Sequence, residues 1–326
     1  MTTRGRLAGA AILIVLSALA LGAPFVATSE PWRQHADLAY APPMLPRIVG
    51  HDGRWRRPFV YPLLVKDRLE RRYVEDVSRP APLRFFSGGR LASTDAVVWF
   101  PLGADPLGRD VFSRVAHGAR WSLAVAIVAT MFAIGAGALA GAIAGFAGGA
   151  ADRIIMAVAD FIVILPAAYV IVTLRASLPL ALERSEVFWT IVLVLAVASW
   201  PLPARGVRAV IAAERRREYA EAAYAMGAGR LRILLRHLLP AARSHLATQA
   251  FLLFPAFILA EATLSYLGLG FAEPSASWGV MLQDAGRIAA ITEAPWMLAP
   301  AGAIVAAVLA THLLVANGAE SEPAIR

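Results

Sequence analysis

Six stretches of mostly apolar sequence, each near the ~20 residues that a helix needs to cross a hydrocarbon core, dominate this chain. They lie at residues 7–28, 120–147, 154–174, 187–204, 246–272 and 296–316. Composition agrees: 58% of residues are hydrophobic, 17% are charged and the mean hydropathy is +0.60, whereas soluble domains run near half apolar and a quarter charged. Backbone groups inside lipid must be satisfied within each segment, so the expected fold class is an all-α membrane protein of six transmembrane helices. Pro166 and Pro255 fall inside spans, where neighbouring groups can re-satisfy the freed backbone. The first window, preceded by Arg4 and Arg6, reads as a retained anchor, residues 1–28, because its apolar run from Leu7 to Val26 exceeds a signal-peptide core.

The net charge of +8 comes almost wholly from arginine, Lys66 being the single lysine. Basic loops beside apolar spans meet anionic lipid and set topology, so this charge does not point to nucleic acid. Segment 205–245 carries nine arginines against three glutamates, and the short loops on the opposite side hold Arg175, Arg184 and Arg287. The positive-inside rule then places the N-terminus and 205–245 in the cytoplasm of a multi-pass plasma-membrane protein. Segment 29–119 holds fourteen basic residues and must lie outside, but its 91 residues are too many for the rule to count. Its Pro, Trp and Arg content predicts a small extracytoplasmic lobe of short strands or turns, helical around 66–76.

Inside the spans, Gly137, Gly141 and Gly145 recur every four residues, a ridge that allows close helix approach in lipid. Asp160 and Glu261 are acidic residues well inside spans, where a charge costs at least ~2.5 kcal/mol. Each is either a functional group or a hydrogen-bonded structural one. Ser265 to Gly270 closes the fifth span with two glycines, which predicts a bend or a close contact.

Between the fourth and fifth spans sits a polar island, residues 218–240, reading EYAEAAYAMGAGRLRILLRHLLP. A helix from Glu218 to Met226, a turn at Gly227 and Gly229, and a second helix over 230–239 ended by Pro240 are predicted. Leu231, Leu234, Leu235 and Leu238 would share one face of that second helix, lying on the membrane surface. A charged helix–turn–helix in this place suggests a grip for a soluble partner.

Glu221-Ala222-Ala223, then Gly227, then His237-Leu238-Leu239-Pro240 resembles the EAA loop of ABC importer permeases. Gly103-Ala104-Asp105-Pro106-Leu107-Gly108-Arg109-Asp110, continuing through Arg114, Gly118 and Ser122, is similar to the signature of the dipeptide/oligopeptide/nickel branch. Glu261 through Gly270, with Ser277-Trp278-Gly279, resembles a further run of that branch, and Asp160 and Pro166 fit its third span. The likeness covers residues 103–300 and points to the C-type subunit. The chain departs from the family at Ala104, where Thr is usual, in the long 29–102 region, and in the tail 317–326, which lacks the usual ending.

The resemblance implies a translocation domain over residues 120–316, with a coupling loop at 205–245 that inserts into an ATP-binding subunit through Glu218, Glu221, Ala222, Ala223, Gly227, Leu239 and Pro240. Its partners would be a homologous permease subunit, two ATP-binding cassette subunits and an extracytoplasmic substrate-binding protein, the last docking on 29–119 and Trp278. The solute would be a peptide or a related small molecule. No G-x-x-x-x-G-K-[ST] occurs, the six histidines are scattered, and no nucleophile triad is legible, so no cofactor, metal site or catalytic residue is expected in this chain. Two readings compete with the importer: an ion-coupled transporter using Asp160 and Glu261 as proton carriers, and a non-transporting anchor for the outer lobe.

Overall fold

A computed structural model describes residues 2–67, 70–94, 97–165, 173, 183–286 and 292–316. Helix predominates, and the chain divides into two compact units, Met1–Ala124 with Leu259–Arg326, and Val125–Ile258. Two long helices contribute to both: α3, Val111–Ala147, and α9, Arg243–Tyr266.

The first unit begins with α1, Thr2–Leu21, and α2, Ala23–Val26. It ends with α10, Trp278–Ala285, and α11, Ala299–Ala316. α1 packs along α11 so closely that a Cβ on Gly9 would stand 2.6 Å from the Ala310 carbonyl oxygen. Between α2 and α3 the chain forms seven short strands: β1 (Arg47–Val49), β2 (Trp55–Val60), β3 (Leu63–Asp67), β4 (Arg72–Glu75), β5 (Ala81–Pro82), β6 (Arg84–Ser87) and β7 (Arg90–Ser93). They pair antiparallel as β1–β2–β5, β3–β4 and β6–β7. Ala41, Met44, Val60, Ala81, Phe100 and Ala104 make a small core beneath them.

The short strands expected in this lobe are present on a predominantly helical chain, and one expectation is corrected: the described residues of 66–76 belong to a strand pair rather than a helix, with Leu63 opposite Glu75 and Val65 opposite Tyr73. The acid/base run suggested helical ion pairs, but burial alternates with a period of two along β3, as a half-buried strand requires.

In the second unit, α3 continues into α4 (Gly149–Ile164), and further along the chain come α5 (Arg184–Ser199), α6 (Pro201–Glu214), α7 (Glu218–Ala225) and α8 (Arg230–Ile233). Among the described residues, four helical stretches are long and apolar enough to cross a membrane: Arg4–Leu21, Val111–Ala147, Arg230–Tyr266 and Pro295–Val315. The fourth expected span, 187–204, is not one straight helix. α5 and α6 meet at a 43° bend at Trp200, because Pro201 and Pro203 remove two donors from the ladder. Only the first part of the third expected span is described, as the 16 residues of α4, and Pro166 lies outside the described residues.

The glycine ridge of α3 faces α6. A Cβ on Gly137 would meet Pro203, one on Gly141 would meet the Ala204 carbonyl oxygen, and one on Gly145 would sit 2.7 Å from the Arg208 carbonyl oxygen. Gly135, off the ridge, has nothing within 4 Å of that position. Gly141→Ala is therefore expected to lower stability by about 1–3 kcal/mol, the usual cost of overpacking, while Gly135→Ala is neutral or mildly stabilising. Thermal unfolding of the two variants in detergent checks this, and equal melting temperatures would remove the ridge from the packing account.

Candidate functional site

Residues 218–242 form a folded element seated on α6. Ala220 and Ala223 of α7, three apart and hence on one helical face, are buried with Val207 and Ile211 of α6, Ala142 of α3, and Ile233, Leu238 and Ala242. The opposite face of α7 leaves Glu218, Glu221 and Ala222 exposed. Small side chains at 220 and 223 bring the α7 backbone close to α6 and give the exposed face a fixed seat. Burial and the Glu214 carboxylate, which accepts from Tyr219 Oη at 2.6 Å, push the Tyr219 phenol up to about 12.

Gly227 ends α7. Its φ is +80°, the Gly227 N–H donates to the Tyr224 carbonyl at 3.0 Å, and the Ala228 N–H donates to the Ala223 carbonyl at 3.0 Å. This is a Schellman closure, which wants glycine at the left-handed position. Gly229 has an ordinary φ of −64° and caps α8. Just past the turn, Met226 and Leu231 are 82% and 68% exposed, an apolar tip beside two carboxylates.

The second helix differs from expectation. α8 covers only Arg230–Ile233, then a π turn spans Leu234–Leu238 and a 3-10 turn spans Leu239–Ala242. Pro240 does not end the element: it is the second residue of the 3-10 turn that runs directly into α9. The buried residues are Ile233 and Leu238, while Leu231 and Leu235 face outward, so the expected four-leucine face does not exist. Leu239 and Pro240 are half-buried at its base.

The signature ahead of the second span forms an ionic cluster in the first unit, in which Asp105, Arg109 and Arg114 are buried, Asp284 is part-buried and Glu273 is 40% exposed. Arg109 Nε donates to Asp105 Oδ2 at 2.5 Å, and its other nitrogens reach Glu273 Oε2 at 2.6 Å and Asp284 Oδ2 at 3.3 Å. Arg114, fully buried, donates to Glu273 Oε1 at 2.7 Å and lies 3.6 Å from Asp105. Asp105 also accepts the N–H groups of Leu107 and Arg109 at 2.8 and 2.9 Å. Burial alone would raise Glu273, but the Arg114 and Arg109 guanidiniums hold it below the usual carboxylate range. Asp284 is pushed up, chiefly by burial. Gly108, at φ +68°, lies against the His35 carbonyl, where a Cβ has no room. Asp110 accepts from the Ser113 and Thr28 hydroxyls and so ties the start of α3 to the end of α2. Burial pushes the Asp110 carboxyl up.

The two intramembrane acids have different surroundings. Glu261 is fully buried, accepts from Ser265 Oγ at 2.8 Å, and is faced by the hydroxyls of Ser122 and Ser277. Each serine oxygen also accepts a backbone N–H: Phe271 on Ser265, Trp278 on Ser122 and Val280 on Ser277. The Ser265 proton is thus directed at Glu261 Oε1, while Oε2 has no hydrogen-bond partner among the described residues, and the carboxylate lies where the end of α9, the start of α10 and α3 meet. Asp160 is exposed on α4 and pairs with Arg205 of α6 at 2.5 Å, while Asp152 takes both Arg208 nitrogens at 2.5 Å. Beyond Glu261, α9 ends in a second Schellman closure at Gly268, φ +75°, so the bend read from Ser265–Gly270 is present.

Trp278 corrects the docking expectation. It is fully buried, its indole N–H donates to the Val115 carbonyl at 3.1 Å, and Gly118 makes room for its ring. A residue so enclosed offers nothing to an outside partner. The sequence also gave no sign of Glu273 and Asp284 as partners of Arg109, or of Arg205 and Arg208 as partners of the α4 acids. Separations of 164 and 175 residues leave no local pattern to read.

Residues 137–318 match the family described as binding-protein-dependent transport system inner membrane component. The chain belongs to this family. It is 40% identical over 217 residues to a Brucella ovis protein provisionally named a peptide permease, covering 66% of this chain and 69% of that one. It is 37% identical to the oligopeptide transport system permease protein of Bacillus subtilis, over 63% of this chain and 65% of the relative. It is 36% identical to the di/tripeptide permease of Pseudomonas aeruginosa, over 66% and 69%. A structure of the MetNI methionine ABC transporter aligns with a TM-score of 0.48 at 19% identity, over 64% of this chain and 94% of that one. Family membership makes the chain a transport permease subunit and favours that role over an ion-coupled carrier or a passive anchor.

Truncating Arg114 leaves Asp105 and Glu273 short of a buried counter-charge, so Arg114→Ala is expected to cost about 3–5 kcal/mol. Yield of folded protein and melting temperature check it, and a wild-type value would disprove the network's role. Because Glu273 is depressed, its contribution is present above the ordinary Glu value of about 4.3 and fades as pH falls through the lower folded value. Glu273→Gln is expected to flatten that part of the stability–pH curve.

Proposed function

We propose that this permease is half of the translocation path of an ATP-driven importer for peptides or a related small solute. It pairs with a homologous permease subunit, two ATP-binding cassette subunits and an extracytoplasmic substrate-binding protein. The observation that carries this reading is α7: Ala220 and Ala223 lock it onto α6, while Glu218, Glu221, Tyr224 and Met226 face outward. That is a rigid, projecting knob with a mixed acidic and apolar surface. Such a knob fits a groove on an ATPase, and seated on a membrane helix it passes the ATPase's motion on as a rigid-body shift. ATP hydrolysis belongs to the partner.

The relatives named as oligopeptide and di/tripeptide permeases support peptides as the solute class. Six spans follow from the apolar windows, and an N-terminus and a 205–245 loop in the cytoplasm follow from the arginine distribution, which leaves 29–119 as an outer lobe. On that lobe, exposed Trp32, Trp55 and Phe86 are available to a binding protein, as Trp278 is not. Glu261 and Asp160 act here as structural anchors, since the first is enclosed by hydroxyls and the second is paired.

Glu221→Arg, on the exposed face, is expected to cut peptide uptake by reconstituted complexes at least tenfold while membrane insertion is unchanged. Gly227→Leu forces a side chain into the left-handed region, at about 1 kcal/mol, and displaces the tip, with the same outcome. ATP hydrolysis and uptake are measured together in proteoliposomes. Wild-type coupling in both variants would sink the docking role.

A further inference from the structure

The outer segment contains a cavity that the transport mechanism does not use. Its volume is about 260 Å³, and it opens where the end of α2 meets β7 and the strand-free run 97–99. Its polar lining includes Arg33, His35, Arg90 and Ser29, and its apolar wall is Val97, Val98 and Trp99. No carboxylate lines it among the described residues.

The donors differ in what they already do. Arg90 Nη1 donates to the Thr28 carbonyl at 2.7 Å, which fixes that guanidinium at the cavity edge, and its other nitrogens have no partner among the described residues. Trp99 donates its indole N–H to the Met44 carbonyl at 2.9 Å, so its ring contributes apolar surface rather than a donor. The Thr28 hydroxyl is committed to Asp110, and that of Thr94 to the Val97 carbonyl. Burial, and then the neighbouring Arg33, push the His35 imidazole down, leaving it neutral at physiological pH. Two guanidiniums therefore carry the positive charge, Arg90 held in place and Arg33 exposed in the lining.

Such a lining selects an anion. The size and the apolar wall select an organic one, because a bare oxyanion would fill only a small part of the space. We propose that this cavity is a binding site for a small organic carboxylate, its charged end held by Arg33 and Arg90 and its apolar body lying on Val98 and Trp99. The site is separate from the α7 surface and stands whether or not peptides are the transported solute.

The test is calorimetric titration of the full-length protein in zwitterionic-lipid nanodiscs with N-acetylphenylalanine, N-acetylphenylalaninamide and inorganic phosphate. Saturable binding of the acid is expected, with the amide roughly tenfold weaker, since a charge-assisted hydrogen bond is lost. Arg33→Ala, at an exposed position, is expected to weaken the acid roughly three- to tenfold, leaving the amide and the melting temperature unchanged. Arg90→Lys keeps a cation but loses the fork, and is expected to weaken the acid as well. Equal binding of acid and amide, indifference to Arg33→Ala, or no binding of the acid overturns the proposal. Phosphate binding as tightly as the acid also overturns it, because the apolar wall would then contribute nothing. Uptake by the same variants is scored separately, so a failure here is distinguishable from a failure of the importer reading.

Discussion

The second unit depends on how closely α3 and α6 approach. Lipid offers helices no gain from hydrophobic segregation, so their association rests on packing at short range. Gly137, Gly141 and Gly145 let the α6 backbone approach to where a methyl group would collide. Ala142, between the glycines, joins Val207 and Ile211 of α6 in burying Ala220 and Ala223. One continuous set of contacts therefore runs from the glycine ridge to the seat of α7. α7 is thereby packed on the membrane helices rather than carried on a loose loop.

The first unit is held by a different force. Two arginines and three acids, Asp105, Glu273 and Asp284, meet where α3, α10 and the loop before α3 converge. The shared charge compensates for burial, as the opposite behaviour of the two acids after α9 illustrates: Glu273, held by both arginines, is lowered, and Asp284, at 3.3 Å from one, is raised. Buried ion pairs confer less stability than their Coulomb energy suggests, but their geometry permits few alternatives. Together with Asp110 and Thr28 at the end of α2, they give the β lobe a fixed root. The cavity beside Arg90 is built on the same root, since Thr28 supplies both the Asp110 bond and the carbonyl that holds Arg90.

Legibility in the sequence followed the range of the interaction. Four of the apolar windows, the glycine ridge and the turn at Gly227 were readable, because each is set by neighbours within a few residues. The Gly227 turn needs only its own φ and two carbonyls of the preceding turn. The bend at Trp200 was also locally encoded, by Pro201 and Pro203, but apolar continuity across 187–204 outweighed it in a composition-based reading. What could not be read was long-range: the partners of Arg109, the pairing of Asp160 with Arg205, and the burial of Trp278 against Val115. An aromatic residue in an outer loop and one wedged between helices have the same local sequence. Only the position of Gly118, 160 residues earlier in the chain, separates them. The β lobe was partly readable, as short strands, but the acid/base run at 66–76 gave a helical pattern that β3 and β4 overrode.

The segment after Gly229 shows why a leucine pattern misled. In an α-helix, residues five apart differ by about 140° around the axis, so Ile233 and Leu238 could not both face α6. A π turn spans five residues per hydrogen bond, and here the Leu239 N–H donates to the Leu234 carbonyl. That insertion brings Ile233 and Leu238 to the same side, both fully buried. It also meets the demand of Pro240, which has no N–H to give to an α-helical ladder and sits in the first turn of the 3-10 segment Leu239–Ala242 instead. The cost is that Leu231 and Leu235, four apart and well placed for an α-helical core face, are turned outward. His-Leu-Leu-Pro is thus a register shift written into the chain. It anchors the second arm through two residues, Ile233 and Leu238, and leaves Leu231 and Leu235 exposed.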